Sequence, residues 1–348
     1  MARIAGVLAL AGTASTACGA RTWLPSDHVV DDGGACVGTE VPIQPNVPNL
    51  YFVLDVSGSM LENGKWVNVR SAVANLMSKT GANARFGVTV FPASGTQECA
   101  PGVEVMPLRL GDATGATESA FITATALTPQ GGTPTAATFR SLVSKLGSLS
   151  GVTFVILATD GGPNCDATIA PCSIDQCTTN IDEASTQCAP GGSLNCCAGN
   201  LLGCLDGDAS AQAISDLRAA GVQTYVMGIP GSAPYAAVLD QLAMAGGTSR
   251  GSEPLYYQVN TPDTTALEQA FQQIASAAMR SCTLLLANDP ADPNQVNVAI
   301  DGTVVPRSGP NGWALHGQTV TLSGSTCGAV QSSAAPPVHV LEGCPTVR

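Results

Sequence analysis

Charge is scarce in this chain, and basic charge scarcest. Of 348 residues only 11% are Asp, Glu, Lys or Arg, and Lys plus Arg number 14 against 26 acidic residues, a net charge of −12. Phosphate recognition needs clustered Lys and Arg. No basic run exists here, so nucleic acid is excluded as a partner. Histidine is almost absent: His28, His316 and His339 are scattered, with neither an HExxH helix nor a GxSxG elbow to make a hydrolase. The stretch Gly58–Lys65 (GSMLENGK) approaches a phosphate-binding loop but has five residues between its glycines, and Trp66 stands where Ser or Thr is needed. The expectation is therefore a binding protein and not an enzyme. Beyond the first residues there is no apolar run of membrane-spanning length.

Small and punctuating residues are plentiful: Gly 38, Pro 23 and Cys 13. With a mean hydropathy of +0.21, this suits an exported, loop-rich globular protein better than a disordered one. Residues 1–17 have an early arginine, a short apolar core and then small residues, the form of a signal peptide. The sequence Ser15-Thr16-Ala17-Cys18 resembles a bacterial lipoprotein processing box, although the family prefers Leu where Ser15 stands. That box would make Cys18 a lipidated first residue. The chain would then be anchored to an outer membrane or cell surface through lipid alone. Ordinary cleavage after Ala17, giving a secreted or periplasmic protein, is the alternative.

Setting Cys18 aside leaves an even 12 cysteines, as an oxidising compartment favours. Seven of them (Cys165, Cys172, Cys177, Cys188, Cys196, Cys197 and Cys204) crowd one segment. An odd number there means that, if all pair, at least one disulfide leaves the segment for Cys36, Cys99, Cys282, Cys327 or Cys344. Without recurring CxxC pairs or a local His, zinc is the weaker explanation.

Residues 18–48 lack periodicity and read as an extended tether. From 49 to 280, apolar runs at 50–55, 84–91, 103–110, 152–160, 222–229 and 255–259 alternate with segments of helical spacing. Trp66, Val69, Val73 and Leu76 mark the first such segment; Phe139, Leu142 and Leu146 mark another, opened by Thr133-Pro134; Leu267, Phe271, Ile274 and Ala278 mark the last. Alternation of this kind predicts an α/β fold with a doubly wound, mostly parallel sheet. The Cys-rich segment interrupts it as an insertion at about 162–207. Residues 281–348 fall into short, turn-separated runs and read as a small all-β module.

In an open α/β sheet, ligands meet the carboxyl ends of the strands. Asp55 ends the first run and Asp160 ends VTFVILATD. Ser57 and Ser59 follow Asp55 at alternate positions, and Thr133 in GGTPT opens a helix toward the same edge. Two carboxylates and three hydroxyls are oxygen donors of the kind hard cations prefer. Asp289, Asp292 and Asp301 fit no calcium-loop spacing and read as solvated turns.

DVSGSM, GGTPT and ATDG, in that order on alternating strands and helices, resemble the von Willebrand factor A domain over roughly 49–280. That family holds Mg²⁺, or another hard divalent ion such as Ca²⁺ or Mn²⁺, at a metal-ion-dependent adhesion site. The resemblance implies that Asp55, Ser57, Ser59, Thr133 and Asp160 hold the cation, with Thr135 a substitute for Thr133. It implies too that a carboxylate from a protein partner completes the shell. Because the insertion begins just past Asp160, it should lie on the metal-bearing face. The rival to an adhesion module is a disulfide-stapled scaffold in which the metal is structural or vestigial; an enzyme or a chaperone-type subunit is a third reading.

Overall fold

The computed structural model describes residues 28–31, 35–44, 47–93, 98–166, 168–169, 171–261, 263–280, 282–331 and 336–348. The signal peptide and Cys18 lie outside them. The centre is a six-stranded sheet of β1 (Asn49–Asp55), β2 (Arg85–Phe91), β3 (Val103–Leu110), β4 (Thr153–Thr159), β5 (Gln223–Gly228) and β6 (Tyr257–Gln258). Their order is β3-β2-β1-β4-β5-β6; β3 alone runs antiparallel to its neighbour. The last strand, expected over 255–259, pairs only at Tyr257 and Gln258.

The continuous apolar run of β1 follows from burial on both faces. Leu50, Phe52 and Leu54 pack toward α1 (Lys65–Thr80), α2 (Ala116–Ala124) and α6 (Thr264–Met279), with Phe52 edge-on to Phe271 at 5.7 Å between ring centres. Tyr51 and Val53 pack toward α3 (Thr135–Gly147), α4 (Gly207–Ala219) and α5 (Ala236–Gly246), through Phe139, Leu142, Ile214, Leu217, Leu239 and Leu242. Each such side chain, taken fully out of water, contributes roughly 1.5–3 kcal/mol. Asp263 caps α6, its Oδ1 accepting from the Ala266 amide at 2.9 Å. Helix α2 was not expected from the sequence. Only Thr117 and Phe121 of its nine residues are buried, too few to draw an apolar stripe.

The chain leaves β1 for β2 and β3 on one side of the sheet, then returns to β4 on the other. The carboxyl ends of β1 and β4 thus flank the topological switch point, where the crevice of a doubly wound sheet opens.

Two expectations for the periphery are corrected. The supposed tether contributes strands: Ala35–Glu40 pairs with Val338–Glu342, and Ile43–Gln44 with Thr283–Leu286. The C-terminal module is accordingly a sandwich of a five-stranded and a four-stranded sheet that is incomplete without the chain's N-terminal part. Both layers share a core of Leu286, Val296, Val298, Trp313, Val320, Leu322 and Val340, with Val41 and Ile43 against it. Nor is the module all-β, because Gly324–Gln331 forms a helix. Cys282–Cys327 ties that helix to a strand, and Cys344 is disulfide-bonded as well.

The insertion has little regular structure beyond a four-residue helix, Thr178–Ile181. Three disulfides, Cys172–Cys204, Cys177–Cys197 and Cys188–Cys196, close it internally. The unpaired seventh cysteine leaves as expected, Cys165 bonding to Cys99 across 66 residues. Cys172, Cys197 and Cys204 lie close enough together to suggest a metal cluster, but all three are in disulfides. Among the described residues no helix is long and apolar enough to cross a membrane.

Candidate metal site

Asp55 is the last residue of β1 and is fully buried. Its Oδ1 accepts the Ser57 backbone amide at 2.7 Å, and its Oδ2 accepts the Thr159 hydroxyl, from the end of β4, at 2.5 Å. That turn places the Ser57 and Ser59 hydroxyls 3.2 Å apart, and Ser59 Oγ donates to Asp160 Oδ1 at 2.8 Å. The loop after β1 and the residue after β4 are therefore joined directly across the switch point.

Thr133 arrives on a third segment. The Gly58 amide donates to Gly131 O at 3.0 Å and the Gln130 amide to Val56 O at 2.7 Å, which lays GGTPT against the Ser57–Ser59 loop. Gly131 has φ of +86°, and a side chain there would meet Glu98 O at 2.8 Å, so glycine is required. Asn164 clasps Thr133 from the far side: its Oδ1 accepts the Thr133 amide at 2.8 Å and its own amide donates to Thr133 O at 3.0 Å. The Thr133 hydroxyl, on a residue only 5% exposed, has no hydrogen-bond partner among the described residues and borders an open cavity. Thr135, by contrast, turns its hydroxyl back to Thr133 O at 3.4 Å and stays outside that cavity. Thr133 is the residue that presents an oxygen there.

The cavity measures about 350 Å³, and Ser59, Thr133 and Asp160 line it. The insertion (Thr178, Ile181, Asp182 and Glu183) and Tyr235 line it as well. The insertion does lie on this face, as its place in the sequence implied.

Electrostatically the site is short of positive charge. Burial, reinforced by the charge of Asp160, pushes the Asp55 carboxyl well above the ordinary carboxylate range. One cation answers it: Lys65 Nζ lies 2.7 Å from Asp160 Oδ2, 3.3 Å from Ser59 O and 3.4 Å from Glu62 Oε2. Burial is the largest influence on Lys65 and works against its charge, but Asp160 and Glu62 together outweigh it and the ammonium pKa is raised.

These residues fit a hard divalent cation. The donors are carboxylate and hydroxyl oxygens without His or thiol, the Thr133 hydroxyl is left without a partner, and an ammonium stands where positive charge is needed. All five residues expected from the sequence come together. Four others belong to the site and were not foreseen as such: Thr159, Lys65, Asn164 and Asp182. Thr159 is adjacent to Asp160 in ATDG, so its placement was within reach. The other three depend on how distant loops fold back.

No family model matches the sequence, and no curated protein is similar enough to be matched. Among solved structures, the chain is similar to the pilus adhesin SpaC from Lactobacillus rhamnosus GG at 16% identity and a TM-score of 0.46, over 88% of this chain and 40% of that one. It is also similar to the vWF domain of the type V pili tip protein Mfa5 from Porphyromonas gingivalis (13% identity, TM-score 0.43, 68% of this chain and 95% of that one). A third similarity is to manganese-loaded Plasmodium vivax TRAP protein (15%, 0.39, 65% of this chain and 72% of that one). The chain thus spans about two fifths of the length of the pilus adhesin.

Proposed function

We propose that this chain is a surface adhesion module that holds a divalent cation, Mg²⁺ or a close relative, through Asp55, Ser57, Ser59, Thr133 and Asp160, as the von Willebrand factor A resemblance implies. The observation that carries the reading is that Ser59, Thr133 and Asp160, from three separate segments, line one cavity at the switch point, with Asp55 and Ser57 hydrogen-bonded to the loops that carry them. A cation bound there supplies electrophilic attraction for a carboxylate presented by a protein partner. The chain's own residues do the rest: Asp55 and Asp160 provide charge, Ser57 and Ser59 fix the loop, and Asn164 holds Thr133 in place. On this reading the chain binds and does not catalyse. It is exported, and lipidation at Cys18 tethers it to the outer membrane or cell surface; Cys18→Ser releasing the protein from membranes is the expected check.

The test combines calorimetry with capture. Asp55→Ala is expected to abolish Mg²⁺ or Mn²⁺ binding with the circular dichroism spectrum unchanged, and to remove the EDTA-sensitive part of ligand capture from host surfaces. If EDTA and Asp55→Ala both leave capture unchanged, the disulfide-stapled scaffold is the better description.

A further inference from the structure

We propose that Asp182, on the Cys-rich insertion, is an internal carboxylate ligand of the cation site. The insertion then holds the site self-occupied until a partner's carboxylate displaces it. The inference rests on the cation reading above and extends it.

Asp182 follows the helix Thr178–Ile181 and lines the same cavity as Ser59, Thr133 and Asp160. Tyr235, itself 2% exposed, donates its hydroxyl to Asp182 Oδ1 at 2.7 Å. No described residue donates to Oδ2, so one carboxylate oxygen is fixed and the other is free for a ligand. The Tyr235 ring is held in turn: a side chain at Gly162, two residues past Asp160, would meet it at 2.5 Å. The Asp182 carboxyl lies within electrostatic reach of Asp160, Glu62 and Lys65.

The mount is rigid. Cys177, at the start of the short helix, is bonded to Cys197, and Cys172–Cys204 closes the next loop out. Within the helix, Asn180 donates to Leu194 O at 2.9 Å, and its Oδ1 accepts the Cys196 amide at 3.0 Å. This carboxylate is pre-organised beside the site and not displayed on a mobile loop.

Charge gives the arrangement its direction. Glu62, Asp160, Asp182 and Glu183 line the cavity, and Asp55 lies behind Asp160, with Lys65 the one ammonium among the lining residues. Without a cation this set of carboxylates is self-repelling. A divalent cation between Asp160 and Asp182 turns that repulsion into attraction. A tethered carboxylate also competes with free ones at an effective concentration in the millimolar range or above, so weak carboxylates are refused.

Manganese tests this directly, through the water-proton relaxivity of protein-bound Mn²⁺ and the Mn²⁺ affinity of the full exported chain. In Asp182→Asn, which keeps the acceptor for Tyr235, relaxivity is expected to rise as water takes the vacated position, and Mn²⁺ affinity to fall about tenfold. Added acetate should lower relaxivity in that variant at concentrations that leave wild type unaffected. Tyr235→Phe should shift both quantities in the same direction by less. If Asp55→Asn abolishes Mn²⁺ binding while Asp182→Asn matches wild type in affinity, relaxivity and acetate response, this inference is overturned and the cation site stands. If wild type takes up no Mn²⁺, the cation site falls, and the inference with it.

Discussion

Lys65 and Asp160 form a buried ion pair, Nζ to Oδ2 at 2.7 Å, with side chains 7% and 0% exposed. A buried ion pair contributes less through its own attraction than its loss would cost, because removing one partner strands the other charge. Here the stranded charge would sit beside a second buried carboxylate, Asp55. Lys65→Met should therefore lower the melting temperature of the metal-free protein. It should also enlarge the stabilisation by saturating Mg²⁺, since a cation then takes over what the ammonium did. Thermal melts in EDTA and in excess Mg²⁺ give both numbers. An equal Mg²⁺-induced shift in wild type and variant would mean that cation and ammonium do not compete for Asp160.

Thr133 is placed from behind by a disulfide. A side chain built on Gly132 would meet Cys165 Sγ at 2.7 Å and Asn164 Oδ1 at 3.0 Å, so Cys99–Cys165 and the Asn164 clasp press against the segment that carries the unpartnered hydroxyl. Replacing both cysteines by serine removes a long-loop cross-link and should cost roughly 2–4 kcal/mol of stability. The sharper expectation concerns the cation. Asn164→Ala and Gly132→Ala should weaken Mg²⁺ binding about tenfold, in keeping with second-layer groups at metal sites generally. Losing Cys188–Cys196, the internal disulfide that does not hold the helix before Asp182, should affect stability more than affinity. Calorimetric titration of the refolded variants, paired with urea melts, separates the two effects.

What was legible in the sequence is what local pattern can encode. The unbroken run Leu50–Leu54 reads as a doubly buried strand because helices cover both faces, and Asp55 and Asp160 were placeable because each closes such a run. The GGTPT loop could be assigned to the same edge, and the resemblance favoured Thr133 over Thr135; the fold shows Thr135 turned back to Thr133 O. Lys65 read as the residue of a failed phosphate loop; its true partner lies 95 residues away, beyond any local pattern. The pairing of Glu40 with Leu341 was invisible for the same reason, in a Pro- and Gly-rich stretch without periodicity. Disulfide partners are chosen by proximity in the fold. Parity alone could say that one bond leaves the insertion, not that it reaches Cys99.

Asp206 closes the insertion, its amide donating to Pro163 O at 2.9 Å, and stands at the N-cap of α4. It is 3% exposed, and burial pushes its carboxyl up to about 7 against the opposing effect of the Ser210 hydroxyl, which donates at 2.8 Å. The native state therefore keeps this proton until about pH 7, whereas the unfolded chain releases it near the ordinary aspartate value of about 3.9. Between those limits the native state binds more protons than the unfolded one, so stability falls as pH rises, by about 1.4 kcal/mol per pH unit from this group alone. Asp206→Asn keeps an acceptor for Ser210 and an acceptable N-cap while removing the titration. The variant should gain on wild type progressively from pH 4 to 7, by a few kcal/mol in total, and hold that gain above. Urea melts across pH in fixed Mg²⁺, with the difference between the two proteins as the readout, decide the matter. Parallel curves would show that the Asp206 carboxylate is ionised in the native protein throughout. A rising difference would show that the native protein holds the Asp206 carboxyl protonated well above the ordinary aspartate range.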